Sequence, residues 1–427
     1  MRLRANMSGR GALGGALLLT YTGVTADLHA ARVEALAVVA VDVAANVGDG
    51  QTVIVHGSLL DAPLVREIVR AAYRRGAHQV DVFWDDPLVR KIRLEEVADA
   101  ALGKFPPWMH QLPTELGQLK GAAISLVGDP APGMYDDIDA ERLGRDAMVI
   151  PEWGQVVGER TVNWAIVPSP TLAWARVVYP DLDGDAALER LWAEIERVCR
   201  LDEPDPAAAW RARSADLASS AERLTLARLD SLHFEGEGTD LHVGLLPGVR
   251  WMGGGFTTAW GCEHLPNLPT EEVFTSPDPE RTEGVVRSTK PLLIDGRAVT
   301  GLRMRFERGH AVEIEADSGA ELIRDLAGRD EGASRLGEVA LVDGSGRIGA
   351  LDTIFRHTLL DENAASHIAI GRGFPFQGDD PTSAGRINIS DVHMDFMIGG
   401  PGIRVTGRTH DGDDVVVLAE DGTWGLP

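Results

Sequence analysis

Six side chains in the last third of the chain have the types and spacing for metal chemistry. Glu272 lies within residues 267–275 and Glu338 within 336–342. Glu362 and His367 lie within 360–367, and His393 and Asp395 within 388–396. Each is set among apolar neighbours, where a carboxylate or imidazole is costly to bury unless something pairs with it. Divalent cations are the obvious partner. Four carboxylates and two imidazoles supply enough oxygen and nitrogen donors for two ions.

The spacing says how the donors are presented. His393 and Asp395 are two apart in an extended-looking segment, so both face the same way. An exposed strand end would show the same alternation, but Met394, Phe396, Met397 and Ile398 argue against exposure. Glu362 and His367 are five apart and do not share a helix face well, so a turn entering a helix is expected there. Taken singly, Glu362 reads as a helix-start acid favoured by the dipole and His367 as a satisfied core histidine. Glu338 sits in Gly337-Glu338-Val339-Ala340-Leu341-Val342, where an unpaired acid is disfavoured. Thr270 can cap a helix, which explains one of Glu271 and Glu272 but not both. Arg287 and Lys290 read as surface charges.

The elements that must carry these residues change character along the chain. Residues 28–47 repeat apolar and small residues at helical spacing, stopped by Gly48-Asp49-Gly50. Residues 52–56, 80–84, 121–127 and 162–167 read as buried strands, with a helix over 63–73 after the first. That repetition predicts a mainly parallel sheet covered by helices. No phosphate-binding glycine signature follows the first strand, which gives a nucleotide role little support. Residues 186–200 form an amphipathic helix with Leu188, Leu191, Ile195 and Val198 on one stripe, and 207–227 read as another helix. From Leu232 onward, short alternating strands separated by glycine turns predict a mostly antiparallel sheet.

At 427 residues the chain exceeds one typical core, so two domains are expected. The fold class is α/β: an N-terminal mainly parallel sheet flanked by helices, plus a β-rich α+β C-terminal domain that holds the metal-binding residues. We set the N-terminal domain at 26–230 and the C-terminal domain at 231–427. Residues 1–25 begin basic and turn briefly apolar, the outline of a secretory signal, but Gly and Thr residues weaken it. A disordered extension or a start assigned too early is the preferred reading. The net charge of −24 argues against nucleic acid or an anionic membrane as partner. The two cysteines, Cys199 and Cys262, make no disulfide framework and fit a reducing, cytoplasmic compartment. No apolar run approaches the ~20 residues of a membrane helix.

The six residues and their surroundings resemble the M29 family of metallo-aminopeptidases, the aminopeptidase T group. The resemblance is carried by residues 267–275, 330–333, 337–342, 361–369 and 393–399. Weaker similarity runs back through Trp164, Pro170-Thr171 and Trp174-Ala175 to about Ala37. It implies a dinuclear site of zinc, cobalt or manganese, with Glu272, Glu338, Glu362, His367, His393 and Asp395 as ligands. It also implies a homodimer enclosing an inner chamber, and short peptides as substrates.

One position departs from the family pattern. Seven residues after His367 the family usually has a tyrosine beside the metals; here it is Phe374. A phenol can donate to a developing oxyanion and phenylalanine cannot. The alternative is that the tyrosine is mainly a packing residue. The expected reaction is hydrolysis of the N-terminal peptide bond by metal-activated water, with Glu338 as bridging ligand or as general base. Two rivals share the fold. A mononuclear iron dioxygenase that cleaves hydroxylated pyridine rings needs two histidines and one carboxylate, which His367, His393 and Asp395 supply. A catalytically weak metal-binding homologue is the other.

Overall fold

The structure is a computed structural model, and it describes residues 23–146, 150–294, 297–374 and 385–426. The expected extension 1–25 lies mostly outside the described residues; a helix, Gly23–Val39, is already under way at its end.

Four parallel strands form the N-terminal sheet in the order Gln79–Asp85, Thr52–Ser58, Ala122–Val127, Asn163–Pro168. Their interior positions are apolar, as expected of strands buried on both faces. Val53, Val55, Ile124, Ala165 and Val167 are buried in one core with Leu36 and Ala40 of the first helix and Ile68 of helix Ala62–Arg74. Helix Gly184–Val198 adds Leu188, Leu191 and Ile195 to the same core. The first helix ends in a π turn, Ala40–Ala44, ahead of the predicted glycine stop.

Helix Pro206–Ala227 ends at Arg228, whose φ of 46° is left-handed, and the first antiparallel strand starts at Leu229. From there the chain builds two large antiparallel sheets and, among the described residues, two two-stranded ones, Phe256–Thr257 with Glu263–His264 and Leu292–Ile294 with Arg297–Val299. The seven-stranded sheet runs His310–Glu315, Arg303–Glu307, Pro277–Arg287, Thr239–Leu245, Leu229–Gly236, Arg404–Thr409, Asp414–Leu418. The five-stranded sheet runs His393–Met397, His367–Gly371, Leu336–Val342, Glu272–Thr275, Met252–Gly253.

Alternation along the five-stranded sheet separates two jobs. Val273, Val339, Leu341, Ile368, Ile370, Met394 and Phe396 are buried in one core with Phe234, Val286, Met304 and Phe306 of the seven-stranded sheet. Burial of that face stabilises the layers at roughly 25 cal/mol per Å² of apolar surface. The residues between them project to the opposite face, and they include five of the six predicted donors, all but Glu362.

Two expectations fail locally. No helix begins at Thr270; Glu272 opens a strand. After Glu362 the chain makes a short 3₁₀ turn, Glu362–Ala364, and then enters strand His367–Gly371 rather than a helix. In both places cross-strand pairing outweighs the local capping signal.

Candidate metal centre

Register explains how the donors meet. Glu338 pairs with Ala369, which pairs with Asp395; Ala340 pairs with His367; Gly371 pairs with His393; Glu272 pairs with Val342. Directly paired residues share a face, so Glu272, Glu338, His367, His393 and Asp395 all project from one side of four adjacent strands. Ala340 and Ala369 occupy the middle of that patch, and their small side chains leave a hollow between the donors.

Glycine permits the close approach. Strand Leu336–Val342 shifts register between Leu336 and Glu338. A Cβ on Gly337 would come within 2.3 Å of the Gly371 carbonyl oxygen. Gly371 itself has φ +102°, which favours glycine. These two positions let the strands cross tightly beside Glu338 and His393.

Five of the six donors fall into two overlapping groups. Glu272, Glu338 and His367 have ligand atoms within 4.8 Å of one another, and so do Glu338, His393 and Asp395. Glu338 belongs to both. His367 Nε2 lies 3.1 Å from Glu272 Oε2. His393 Nε2 lies 3.2 Å from Glu338 Oε2 and 3.5 Å from Asp395 Oδ1. Glu362 stands outside both groups but within their electrostatic reach. Burial, then the charges of Asp395 and Glu272, raise its carboxyl well above the ordinary value.

The histidine tautomers are informative. His367 Nδ1 is 3.1 Å from the Ala365 carbonyl oxygen, and His393 Nδ1 is 2.8 Å from that of Arg372. A carbonyl only accepts, so each Nδ1 carries the proton. Each neutral imidazole then turns the lone pair of Nε2 toward carboxylates. Two kinds of acceptor facing each other need a cation between them, either a proton or a metal. Burial alone would lower His367; the hydrogen bond and charge of Glu272, with Glu338 and Asp395, outweigh it and hold the ring up to about 10. His393 is raised well above its usual value by Asp395 and Glu338 against the effect of burial. Burial also raises Glu338. For Asp395, burial pushes upward but the charge of His393 prevails and lowers it. While the two Nε2 atoms carry no proton, the buried Glu272 Oε2 and Asp395 Oδ1 have no hydrogen-bond donor. A donor set of imidazole nitrogen and carboxylate oxygen with orphaned lone pairs fits divalent cations.

Phe374 is beside this cluster. Its ring centroid is 5.5 Å from that of His393 and 5.1 Å from that of Phe274, both edge-on. A cavity of about 330 Å³ opens onto His393 and Asp395 and is walled by Arg90, Leu292, Arg329 and Met397.

Sequence reasoning missed the supports behind the donors. Glu271 is fully buried; Arg200 Nη2 lies 3.0 Å from its Oε1 and Arg213 Nε 2.6 Å from its Oε2. Its backbone NH donates to Asn363 Oδ1 at 2.7 Å, which ties the start of the Glu272 strand to the Glu362 turn. Asp330 accepts from Ser390 Oγ and the Asp391 NH, at 2.8 and 2.9 Å, and so fixes the segment entering His393. The double acid at 271–272 was the only signal for the first. Arg287 is half-buried, 3.7 Å from Glu237, and Lys290 is half-buried with its charge felt at Asp361.

A sheet face lined with such donors can hold divalent cations. The profile of the thermophilic metalloprotease (M29) family matches residues 29–424, and the chain belongs to that family. It is 39% identical to aminopeptidase T of Thermus thermophilus over 407 residues, covering 93% of this chain and 99% of the relative. It is 35% identical to aminopeptidase 2 of Geobacillus stearothermophilus, covering 90% and 95%. The solved structure of wild-type AmpT from Thermus thermophilus superposes with a TM-score of 0.86 at 38% identity, covering 92% of this chain and 98% of that one. The mixed fold, a four-stranded parallel sheet with helices and a β-rich C-terminal region, agrees with that match. These matches do not favour the ring-cleaving alternative.

Proposed function

We propose that the protein is a metal-dependent aminopeptidase that removes the N-terminal residue from short peptides. The observation that carries the reading is the sheet face itself: two imidazoles with Nδ1 fixed by carbonyls aim Nε2 at three carboxylates in two groups that share Glu338. Family membership supplies the reaction class. Glu272, Glu338 and His367 would hold one ion, and Glu338, His393 and Asp395 a second, with Glu362 completing the set. Bound divalent ions lower the pKa of water and polarise the scissile carbonyl. The chain's own residues do the rest. The carbonyls of Ala365 and Arg372 fix the imidazoles, and the apolar back face holds the strands in register. The cavity at His393 and Asp395 admits the peptide end, and Glu338 is the carboxylate we assign to the proton transfer or to bridging. Zinc, cobalt and manganese suit this donor set equally.

The finer reading includes a homodimer and a cytoplasmic location, supported by the family resemblance and by free cysteines. Among the described residues no helix is long and apolar enough to cross a membrane. The domain division near Asp230 is supported by the change from parallel to antiparallel sheet at Leu229. Leu265, Leu268, Ile348, Phe355 and Leu360 nonetheless join the N-terminal core.

The test is metal content of the purified protein, paired with hydrolysis of Leu- and Arg-p-nitroanilide before and after chelation. Two ions per chain, with activity lost to chelator and restored by zinc, cobalt or manganese, is the expected result. One iron per chain and no amide hydrolysis overturns it.

A further inference from the structure

Outside the cluster above, a second convergence of donors stands on the seven-stranded sheet. The hairpin of strands Leu229–Gly236 and Thr239–Leu245 pairs His233 with His242 and Glu235 with Asp240. Pairing in register and a separation of two along each strand put all four on one face. The hairpin therefore reads His-x-Glu up one strand and Asp-x-His down the other.

The side chains close on one another. The imidazole rings of His233 and His242 stack with centroids 3.8 Å apart and planes 10° from parallel. His233 Nε2 is 2.7 Å from Asp240 Oδ1, and His242 Nε2 is 4.0 Å from the same oxygen. One ligand atom from each of the three lies within 4.8 Å of the others. Bonds to a single ion at about 2.0–2.2 Å need a small opening of the 2.7 Å contact and an approach of His242. His242 and Asp240 are exposed enough, at 57% and 73%, to make it.

We propose that His233, Asp240 and His242 form a second metal site, for a divalent cation of the zinc or copper class. Two imidazoles and one carboxylate are the donors such borderline ions prefer. A surface His–Asp pair explains only part of the arrangement. It uses one imidazole and leaves the other stacked on it, face to face, with no gain from the carboxylate 4.0 Å away. Two imidazolium rings would repel in that stack. Glu235 Oε2 lies 3.5 Å from His233 Nδ1, on the side where an outer carboxylate orients a ligating imidazole. The strands fix the backbone of all four residues, so the site is built on a rigid element. An ion here would clamp the two strands and leave the exposed coordination positions to water.

The experiment is zinc binding by equilibrium dialysis on the full chain, comparing the natural protein with His233→Gln/His242→Gln. A Glu338→Gln background removes the catalytic cluster from the comparison, so failure of that reading and failure of this one are distinguishable. We expect one zinc fewer per chain in the double variant in both backgrounds. Asp240→Asn should weaken that zinc by at least ~10-fold. Should the double variant not fold, zinc protection of His233 and His242 from diethylpyrocarbonate, read by mass spectrometry on the natural chain, gives the same answer. Equal zinc uptake by natural and variant chains, or no protection at micromolar zinc, overturns the proposal. Peptidase activity of the metal-loaded His233→Gln/His242→Gln variant is expected to be unchanged.

Discussion

Glu271 and Glu272 are consecutive in sequence and serve two different charge systems. Glu271 meets Arg200 and Arg213 at 3.0 and 2.6 Å, while Glu272 Oε2 meets His367 Nε2 at 3.1 Å. One residue anchors the strand and the next joins the candidate metal cluster. Both arginines are themselves nearly buried, at 8% and 10% exposure, so the anchor is an ion pair held away from water.

Glu271→Gln follows from that arrangement. Removing one partner of a buried ion pair leaves uncompensated charge and costs about 3–5 kcal/mol. The backbone bond to Asn363 survives the substitution, so the strand start stays near its place. We expect a clear loss of stability in chemical denaturation and a smaller loss of metal affinity. A variant as stable as the natural chain would show that Arg200 and Arg213 are satisfied without Glu271.

Ala369 is the second lever. It lies between Glu338 and Asp395 in one row across three strands, where adjacent strands are roughly 4.8 Å apart. Its small methyl leaves room between the two carboxylates. Ala369→Val fills that space at a cost of about 1–3 kcal/mol in overpacking. Metal content and hydrolysis should fall by at least ~10-fold, because displacement of about 1 Å in a catalytic group costs on the order of 10²-fold. Native-like circular dichroism with full metal content would refute the packing argument.

How much of this could be read from the chain depends on the range of the interaction. The same-face presentation of His393 and Asp395 needs only the two-residue period of a strand, and strand His393–Met397 has it. Glu338 in an apolar run is equally local. The parallel strands near 52–58 and 163–168 announce themselves by continuous apolar residues. What failed was the local reading of Thr270 and of the segment after Glu362, because strands Glu272–Thr275 and His367–Gly371 exist through their pairing with Leu336–Val342. The role of Glu271 was hidden for the same reason: its arginines lie 71 and 58 residues earlier, near and on helices whose own pattern gives no hint of it. The short strand Met252–Gly253 carries no signal of its own.

Stability should depend on pH through two histidines outside the six candidate donors. Burial lowers His264 and His357 from the ordinary 6.5 to about 4. Their folded pKa is depressed, so the unfolded chain takes up protons first as pH falls. The stability they contribute is full above about 6.5 and is lost between there and about 4. Each such histidine adds a slope of up to about 1.4 kcal/mol per pH unit in that window. His264→Phe should flatten the dependence by one such increment, read by urea denaturation at several pH values. Parallel curves for variant and natural chain would exclude His264 as a source.

Phe374→Tyr tests whether the centre lacks a donor. The ring is fixed from two sides: Ser276 Oγ holds the Phe374 NH at 2.8 Å, and the Phe274 and His393 rings meet it edge-on. A phenol ring in the same place stays beside His393, and the variant tests whether its hydroxyl reaches the reacting group. One donor to a developing oxyanion is worth about 10²-fold or more where it has evolved with its site, and an installed one should recover part of that. We expect kcat on Leu-p-nitroanilide to rise about 10-fold with KM little changed, since the bond forms in the transition state and not in the bound substrate. Metal content should be the same in both chains. If kcat does not move while metal content holds, another group already supplies the donor, and the phenyl ring at 374 serves to pack against Phe274 and to orient His393.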